Sequence, residues 1–163
     1  MEKIFDVIVI GSGPGGYIAA IKAAQLGLSA ACVEKDNTLG GTCLNVGCIP
    51  SKALLESTEF LHQAQHRAKT HGVDIEGISI NLDQIMGRKA KIVSKLTKGI
   101  EGLFKKNKVT HLKGHAKFTS PQEIDVGGEK YTAKNFIIAT GSAVRNIPGV
   151  DIDEKRIVSS TGA

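Results

Sequence analysis

A chain of 163 residues has the size of one ordinary domain and is too short to enclose two full hydrophobic cores. Its 41% hydrophobic and 23% charged residues match an average globular protein, which argues against disordered and fibrous classes. The net charge of +5 is weak evidence for nucleic-acid binding because only 4% of the residues are aromatic, so we expect no nucleic-acid partner. No apolar run approaches the roughly 20 residues of a membrane span, so we expect no membrane partner.

The first elements predict a strand, a helix and a second strand. Phe5 to Ile10 is a continuous apolar run rich in Val and Ile, which is typical of a strand buried on both faces of a parallel sheet. Tyr17 to Leu26 carries apolar residues at helical spacing, and Gly27 stands where a helix would end. Ser29 to Glu34 returns to a strand pattern. This crossover predicts an α/β fold with a Rossmann-like, doubly wound parallel sheet.

The rest of the chain predicts two helices and several short strands. The helices are expected over Ser51 to Thr70 and over Leu82 to Lys106, the second with one continuous apolar stripe. The extended pieces VTHL, HAKFTS, EIDV and EKYTA follow, with a two-residue hairpin turn at Gly127-Gly128. They indicate a small antiparallel β-meander. Asn135 to Ala139 is a further apolar strand.

A glycine-rich turn follows the first strand and opens the first helix. In this GxGxxG motif Gly11 permits the tight turn, Gly13 lets the backbone approach a pyrophosphate, and Gly16 allows close packing of helix on strand. Unpaired N–H groups at the start of the helix favour phosphate. Glu34 ends the second strand, where it could accept a hydrogen bond from a ribose hydroxyl and would repel a 2′-phosphate. These features favour a dinucleotide site over a purely structural turn, and they do not separate FAD from NAD.

Two cysteines lie four residues apart in the segment GGTCLNVGCIPSK. Pro50 suits the first turn of a helix, so Cys48 is expected near a helix N-terminus, where the helix dipole and Lys52 favour a thiolate. The N-terminus lacks the pattern of a secretory signal, so we expect an intracellular, cytoplasmic protein. In that reducing compartment a disulfide is catalytic or redox-sensing more often than structural. The spacing therefore predicts a redox-active pair of Cys43 and Cys48.

Other interpretations of the cysteines stay open at this point. They could be inert buried side chains in a scaffold without a ligand, or they could bind a metal. A plant-type iron–sulfur site would need two further cysteines after Cys48, and the chain has none. Zinc would need other ligands, for which His62, His66 and His71 are the nearest candidates. We expect His62 and His66 to be solvated on one helix face and Cys32 to pack in the core.

The stretch LGGTCLNVGCIPSKALL, from Leu39 to Leu55, resembles the active-site loop of the dihydrolipoamide dehydrogenase family, the E3 components of 2-oxo acid dehydrogenase complexes. Glutathione reductase and mercuric reductase share the C-x4-C spacing. Glutathione reductases usually have Lys at the position of Ser51, and both relatives usually have Val at the position of Ile49, so the segment favours the lipoamide family. The resemblance covers essentially the whole chain.

The resemblance implies FAD rather than NAD in the glycine-turn site. It implies that Cys43 exchanges with dihydrolipoamide, that Cys48 faces the flavin as the charge-transfer thiolate, and that Lys52 lies beside the flavin N5 edge. The segment from Gly114 to Ala116 would meet the adenine, and the turn from Thr140 to Ser142 would lie near the cofactor. The implied cofactor-binding residues are Gly11, Gly13, Pro14, Gly15, Gly16, Glu34, Lys35, Gly40, Gly41, Thr42, Cys43, Cys48, Lys52, Gly114, His115, Ala116, Ala139, Thr140, Gly141 and Ser142. No metal site is implied.

The reaction implied is the oxidation of dihydrolipoamide by NAD+, through the two cysteines and FAD. The partners implied are the lipoyl domain of dihydrolipoyl acyltransferase (E2) or the glycine cleavage H protein, and a second subunit in a homodimer. Residues 1–150 are expected to be the first, incomplete segment of the FAD-binding domain, and 151–163 to start the connection to an NAD-binding domain. The family's catalytic base is a histidine of a C-terminal domain that none of the five histidines here matches, so we expect this segment alone to be inactive.

Overall fold

The computed structural model describes residues 4–163, so the first three residues of the expected domain 1–150 lie outside the described residues. The strands are β1 Ile4–Ile10, β2 Ala30–Glu34, β3 Thr110–Lys113, β4 Ala116–Ser120, β5 Glu123–Val126 and β6 Glu129–Ile138. The helices are α1 Pro14–Gln25, α2 Gly41–Asn45, α3 Cys48–His66 and α4 Leu82–Asn107, with a short 3-10 helix at Ala68–His71. None of the helices in this range is long and apolar enough to cross a membrane.

Six strands form one sheet in the order β3-β2-β1-β6-β5-β4. β1 lies parallel to both β2 and β6, with Val9 opposite Cys32 on one side and opposite Ile137 on the other. β2 and β3 are also parallel, whereas β5 runs antiparallel to both β4 and β6. The α/β class and the largely parallel sheet are therefore confirmed, together with an antiparallel meander of β4, β5 and β6.

Two details of the strand prediction were wrong. The VTHL segment is not part of the meander: as β3, it completes the edge of the parallel sheet beside β2. The pieces EKYTA and NFII form one strand of 10 residues, β6, and Ala139 lies just after its end. The polar residues in its middle are paired with β1, since Lys134 Nζ lies 2.7 Å from Asp6 Oδ1 and Asn135 Nδ2 donates to the Asp6 carbonyl at 3.2 Å. The strand therefore continues across the polar interruption.

The predicted helices are present, but two of them begin at other residues than predicted. α1 begins at Pro14 instead of Tyr17, and Gly27 follows its C-cap residue with φ +86°, a left-handed conformation that suits glycine. α3 starts at Cys48, three residues earlier than expected, and the short helix α2 was not predicted. α4 begins where it was expected, with the Asn81 side chain accepting a hydrogen bond from Gln84 N–H at 3.0 Å.

Each face of the parallel strands packs against different neighbours. On one face Val9 and Cys32 pack with Ala20 of α1 and with Ile100 and Phe104 of α4. On the other face the core is made by strands: side chains of β1, β2 and β3 cluster with Ile124 and Val126 of β5. Both faces of the central strands are thus covered, and the carboxyl ends of β1, β2, β3 and β6 are left to form the candidate site.

Candidate active site

A cavity of about 470 Å³ lies where β1, β2, β3 and β6 end and where α1, α2 and α3 begin. In open α/β sheets, this edge of the strands is where ligands bind. The cavity is lined by Ile10, Gly11, Gly13, Pro14, Val33, Glu34, Lys35, Asp36, Gly41, Thr42, Cys43, Gly47, Cys48, Gly114, His115, Ala116, Ala139, Thr140, Gly141 and Ser142. The fold therefore brings the glycine turn, the acid, the cysteine pair and the two later turns to one place.

Most of the site residues expected from the sequence line this cavity. Four do not: Gly15, Gly16, Gly40 and Lys52 are absent from its lining. Gly16 and Gly40 are buried against neighbouring backbone and side chains, whereas Gly15 and Lys52 are exposed on their helices. Lining residues that were not in the expected set are Ile10, Val33, Asp36 and Gly47.

The glycine turn has the steric properties that the motif requires. Gly11 has φ +98°, and a Cβ there would come within 2.9 Å of the Ala139 carbonyl carbon, on the neighbouring strand end. A Cβ at Gly16 would overlap the carbonyl oxygen of Gly11. The start of α1 can therefore pack against the turn only because residue 16 has no side chain. A Cβ at Gly13 would meet no protein atom within 4 Å. Space beside Gly13 is thus open for a ligand.

The cysteine segment touches the glycine turn directly. Gly41 opens α2 with φ +59°, and a Cβ on it would lie 2.7 Å from the Cα of Gly13. Gly40 is the N-cap residue of α2, and its N–H donates to the Ser12 carbonyl oxygen at 3.0 Å. The paired glycines before Cys43 therefore let two loops meet at backbone distance.

Glu34 is almost completely buried and already has three hydrogen bonds from the protein. Oε2 accepts from Ser12 N–H at 3.0 Å and from Ser12 Oγ at 2.5 Å, and Oε1 accepts from Asp36 N–H at 3.0 Å. Burial acts to raise the pKa of Glu34, but the hydrogen bonds from Asp36 and Ser12 outweigh it, so its pKa lies below the ordinary value. The carboxylate is held ionised beside the cavity, and of its roughly four lone-pair positions about one, on Oε1, is left for a further donor.

Both cysteines of the loop line the cavity, and their side chains interact. Cys43 lies in α2 and Cys48 is the first residue of α3, both as free thiols. A hydrogen bond between the two side chains is the main cause that raises the pKa of Cys43, with burial second. The helix start places Cys48 at the positive end of the α3 dipole, closer to the end than the sequence predicted. Two sulfur atoms so placed can exchange between dithiol and disulfide.

Asn45 lies between the two cysteines in sequence, and its side chain forms hydrogen bonds within the cysteine loop. Its Nδ2 donates to the carbonyl oxygens of Leu39 at 3.2 Å and Gly41 at 2.9 Å. Its Oδ1 accepts from Thr38 Oγ1 at 2.7 Å. Sequence reasoning did not single out Asn45, because the value of an amide in a loop depends on which carbonyl groups the fold turns toward it.

The remaining cysteine and the histidine pair do not line the cavity, although Cys32 Sγ donates to the carbonyl oxygen of Gly11 at 3.7 Å behind the glycine turn. Cys32 is fully buried in the core as predicted, and burial first, then the charge of Glu34, raises its pKa to about 12. His62 and His66 are exposed on α3 with ring centroids 4.6 Å apart, as expected for one solvated helix face. Among residues 4–163 there is no group of three or more His, Cys, Asp or Glu side chains that could hold a metal ion.

A glycine turn at the end of a parallel strand, a buried carboxylate and two thiols in contact are together typical of a redox protein that binds a dinucleotide. Residues 5–163 match the family model described as pyridine nucleotide-disulphide oxidoreductase. The chain belongs to this family, whose members generally use flavin and nicotinamide cofactors.

Similar proteins support this assignment along the whole chain. The chain is 61% identical over 163 residues to the mitochondrial dihydrolipoyl dehydrogenase of Pisum sativum, covering 97% of this chain and 32% of that protein. It is 61% identical to the leghemoglobin reductase of Glycine max, covering 97% and 31%. It is 51% identical over 175 residues to the dihydrolipoyl dehydrogenase of Cupriavidus necator, covering 100% and 37%. The chain thus spans about a third of the length of the curated relatives it matches.

Proposed function

We propose that this chain is the part of a dihydrolipoyl dehydrogenase that carries its redox cysteines and most of its FAD site. The observation that carries the proposal is that Cys43 and Cys48 both lie in the wall of the same cavity as the glycine turn. The names of the relatives from Pisum sativum and Cupriavidus necator support the same activity. For the whole protein, we propose the reaction dihydrolipoamide + NAD+ to lipoamide + NADH + H+.

The residues of the cavity fit FAD. The open space at Gly13 and the unpaired N–H groups of the first turn of α1 would receive the pyrophosphate. Glu34 would accept from a ribose hydroxyl with its remaining lone pair on Oε1. We propose that the segment Gly114 to Ala116 meets the adenine and that Thr140 to Ser142 meets the middle of the cofactor, because both turns line the cavity. Bound there, FAD would supply a two-electron acceptor that passes its electrons to NAD+, whose own site we propose to lie outside this chain.

The cysteine pair would perform the exchange with the substrate. In the oxidised protein, a thiolate of dihydrolipoamide attacks Cys43 Sγ, the Cys43–Cys48 bond breaks, and Cys48 leaves as a thiolate. The second substrate thiol, after losing its proton to a base, attacks the mixed disulfide and releases oxidised lipoamide and reduced Cys43. Two electrons now reside in the Cys43 and Cys48 pair. By the family pattern, we propose that the base is a histidine from a partner subunit in a homodimer.

The remaining expectations stand as proposals. Residues 1–150 would be the first segment of the FAD-binding domain and 151–163 the connection toward the NAD-binding domain. The substrate would arrive on a lipoyl domain of E2 or on the glycine cleavage H protein. We propose a reducing compartment such as the cytoplasm, because free Cys43 and Cys48 must cycle between dithiol and disulfide.

The decisive experiment measures bound flavin and NADH formation from dihydrolipoamide in the full-length protein. We expect stoichiometric FAD, and we expect Cys43→Ser to lower kcat on the order of a thousandfold or more, because a nucleophile that acts as part of a unit is lost. Cys32→Ser is the matched control and should keep most of the activity, since Cys32 packs in the core. A flavin-free wild-type protein, or an active Cys43→Ser variant, would overturn the proposal.

The similarity to leghemoglobin reductases supplies a specific alternative substrate. At 61% identity, the relative from Glycine max is as similar as the dehydrogenase from Pisum sativum. The same protein should therefore be assayed for NADH-dependent reduction of ferric haem proteins. Haem-protein reduction that survives in Cys43→Ser, without dihydrolipoamide oxidation in the wild type, would favour this second function.

A further inference from the structure

Ser12 lies where the glycine turn, the buried carboxylate and the cysteine segment meet. It stands between Gly11 and Gly13 in sequence and is completely buried. Its Oγ donates to Glu34 Oε2 at 2.5 Å and accepts from Gly40 N–H at 3.2 Å. Its backbone repeats both connections, because its N–H donates to the same Glu34 oxygen at 3.0 Å and its carbonyl accepts from Gly40 N–H at 3.0 Å.

The two partners of Ser12 serve different halves of the site. Glu34 lines the cavity at the end of β2, on the side where the proposed function puts the ribose. Gly40 is the N-cap residue of α2, the five-residue helix that contains Cys43. The N–H of Gly40 bonds to the hydroxyl and to the carbonyl oxygen of Ser12, while Asn45 holds the carbonyl groups of Leu39 and Gly41 on either side of it. One buried residue thus connects the nucleotide-facing acid to the segment that holds a redox cysteine.

The connection is strong because it involves a buried ionised group. Hydrogen bonds to a buried carboxylate are shorter and stronger than bonds between neutral groups, and removing one leaves a charge that water cannot easily reach. Oε2 of Glu34 receives both of its protein donors from Ser12. The direction in which this carboxylate faces the cavity is therefore fixed before any ligand arrives, which lowers the cost of binding.

We propose that Ser12 is a positioning residue that couples cofactor binding to the redox state of the cysteine pair. It orients the Glu34 carboxylate toward the ribose of the dinucleotide and anchors Gly40, at the start of the helix that carries Cys43. The identity of the ligand rests on the proposed function, whereas the coupling itself is a property of this hydrogen-bond network.

The coupling predicts a particular pattern in a double-mutant cycle on FAD affinity. Ser12→Ala should weaken FAD binding about tenfold or more, because it removes the hydroxyl donor from a buried charge. In a Glu34→Gln background the same change should cost less than about threefold, since its effect acts through the carboxylate. Ser120→Ala is the matched control: Ser120 is exposed on β4, its Oγ accepts from Gln122 N–H, and its loss should leave FAD affinity unchanged.

A second measurement separates the anchoring of Gly40 from the orientation of Glu34. The equilibrium between the Cys43/Cys48 dithiol and disulfide is titrated against glutathione in the flavin-loaded protein. We expect Ser12→Ala to change this equilibrium constant about threefold or more, and Ser120→Ala not to change it. If Ser12 contributed only to the stability of the fold, Ser12→Ala would leave the dithiol–disulfide equilibrium constant unchanged.

If Ser12→Ala folds poorly, a second variant and a measurement on the wild type still test the coupling. Ser12→Gly keeps the backbone donor and the turn geometry while removing the same hydroxyl, and it should reproduce both effects. Hydrogen exchange requires no change at Ser12: FAD should slow exchange of the Gly40 N–H about tenfold or more in the wild type and much less in Glu34→Gln. A wild-type protein that binds no FAD would refute the proposed function. A wild type that binds FAD, with additive effects of the two changes or no difference in Gly40 exchange, would refute the coupling alone.

Discussion

Replacing Gly16 by alanine tests the steric reason for the last glycine of the turn. The new Cβ would overlap the carbonyl oxygen of Gly11, so the start of α1 must shift from β1. Forcing a methyl group into a closed contact costs about 3 kcal/mol. Alanine regains about 1 kcal/mol through its higher helix propensity. The free energy of unfolding should therefore fall by about 2 kcal/mol.

Gly15 gives a matched control one residue earlier in the same helix. A Cβ at Gly15 would meet no atom within 4 Å, so Gly15→Ala should raise the free energy of unfolding by about 0.5 kcal/mol. Urea unfolding of the flavin-free protein at pH 7 measures both. With a slope of about 2 kcal/mol per molar urea, Gly16→Ala should lower the midpoint by about 1 M and Gly15→Ala should raise it slightly. Midpoints that move together in the same direction would refute the steric argument.

Three other predictions concern the cavity and the cysteine loop. In the flavin-loaded full-length protein, Cys48→Ser should abolish the long-wavelength absorbance that develops on partial reduction, whereas Cys32→Ser should keep it. The pKa of Glu34 is lower in the folded state, so its stabilisation is complete above the unfolded value of about 4.3 and is lost as the pH falls through the folded value. In Glu34→Gln, the free energy of unfolding should therefore fall less than in the wild type as the pH is lowered from 7 to 3. Asn45→Ala removes two donors to loop carbonyls and should speed alkylation of Cys43 several-fold, with a loss of stability of about 1 kcal/mol.

Each of these has an outcome that contradicts it. Equal loss of the absorbance in the two cysteine variants would contradict the different roles assigned to them. Parallel stability curves for the wild type and Glu34→Gln would show that the buried carboxylate does not titrate in the folded protein as described. Asn107, whose Nδ2 donates to the Leu103 carbonyl at 2.8 Å near the end of α4, is the control for Asn45. Asn107→Ala should leave the alkylation rate unchanged, and an equal increase would contradict the bracing of the loop.

Local properties of the chain made much of the fold predictable. The long helix was predicted over Leu82 to Lys106 because its apolar residues recur at helical spacing, and the observed helix ends one residue later, at Asn107. The first and second strands were predicted from short apolar runs, and their parallel pairing from the helix between them. The turn at Gly11 was predicted because the GxGxxG pattern stands between a strand and a helix, and the structure gives Gly11 φ +98°, a conformation that most residues avoid.

The amino-acid sequence by itself thus determined the glycine turn, the helices with a clear period and the spacing of Cys43 and Cys48, because these depend on neighbours within a few residues. Only the tertiary structure decided that Thr110–Lys113 joins the parallel sheet, since pairing with β2 depends on a strand far away in the chain. It also decided that Ser12 connects Glu34 to Gly40, because three segments must first meet before a buried hydroxyl can bond to two of them. Hydrogen bonds between distant segments leave no period or spacing in a sequence, and this is the physical reason that Ser12 and Asn45 were found only in the folded protein.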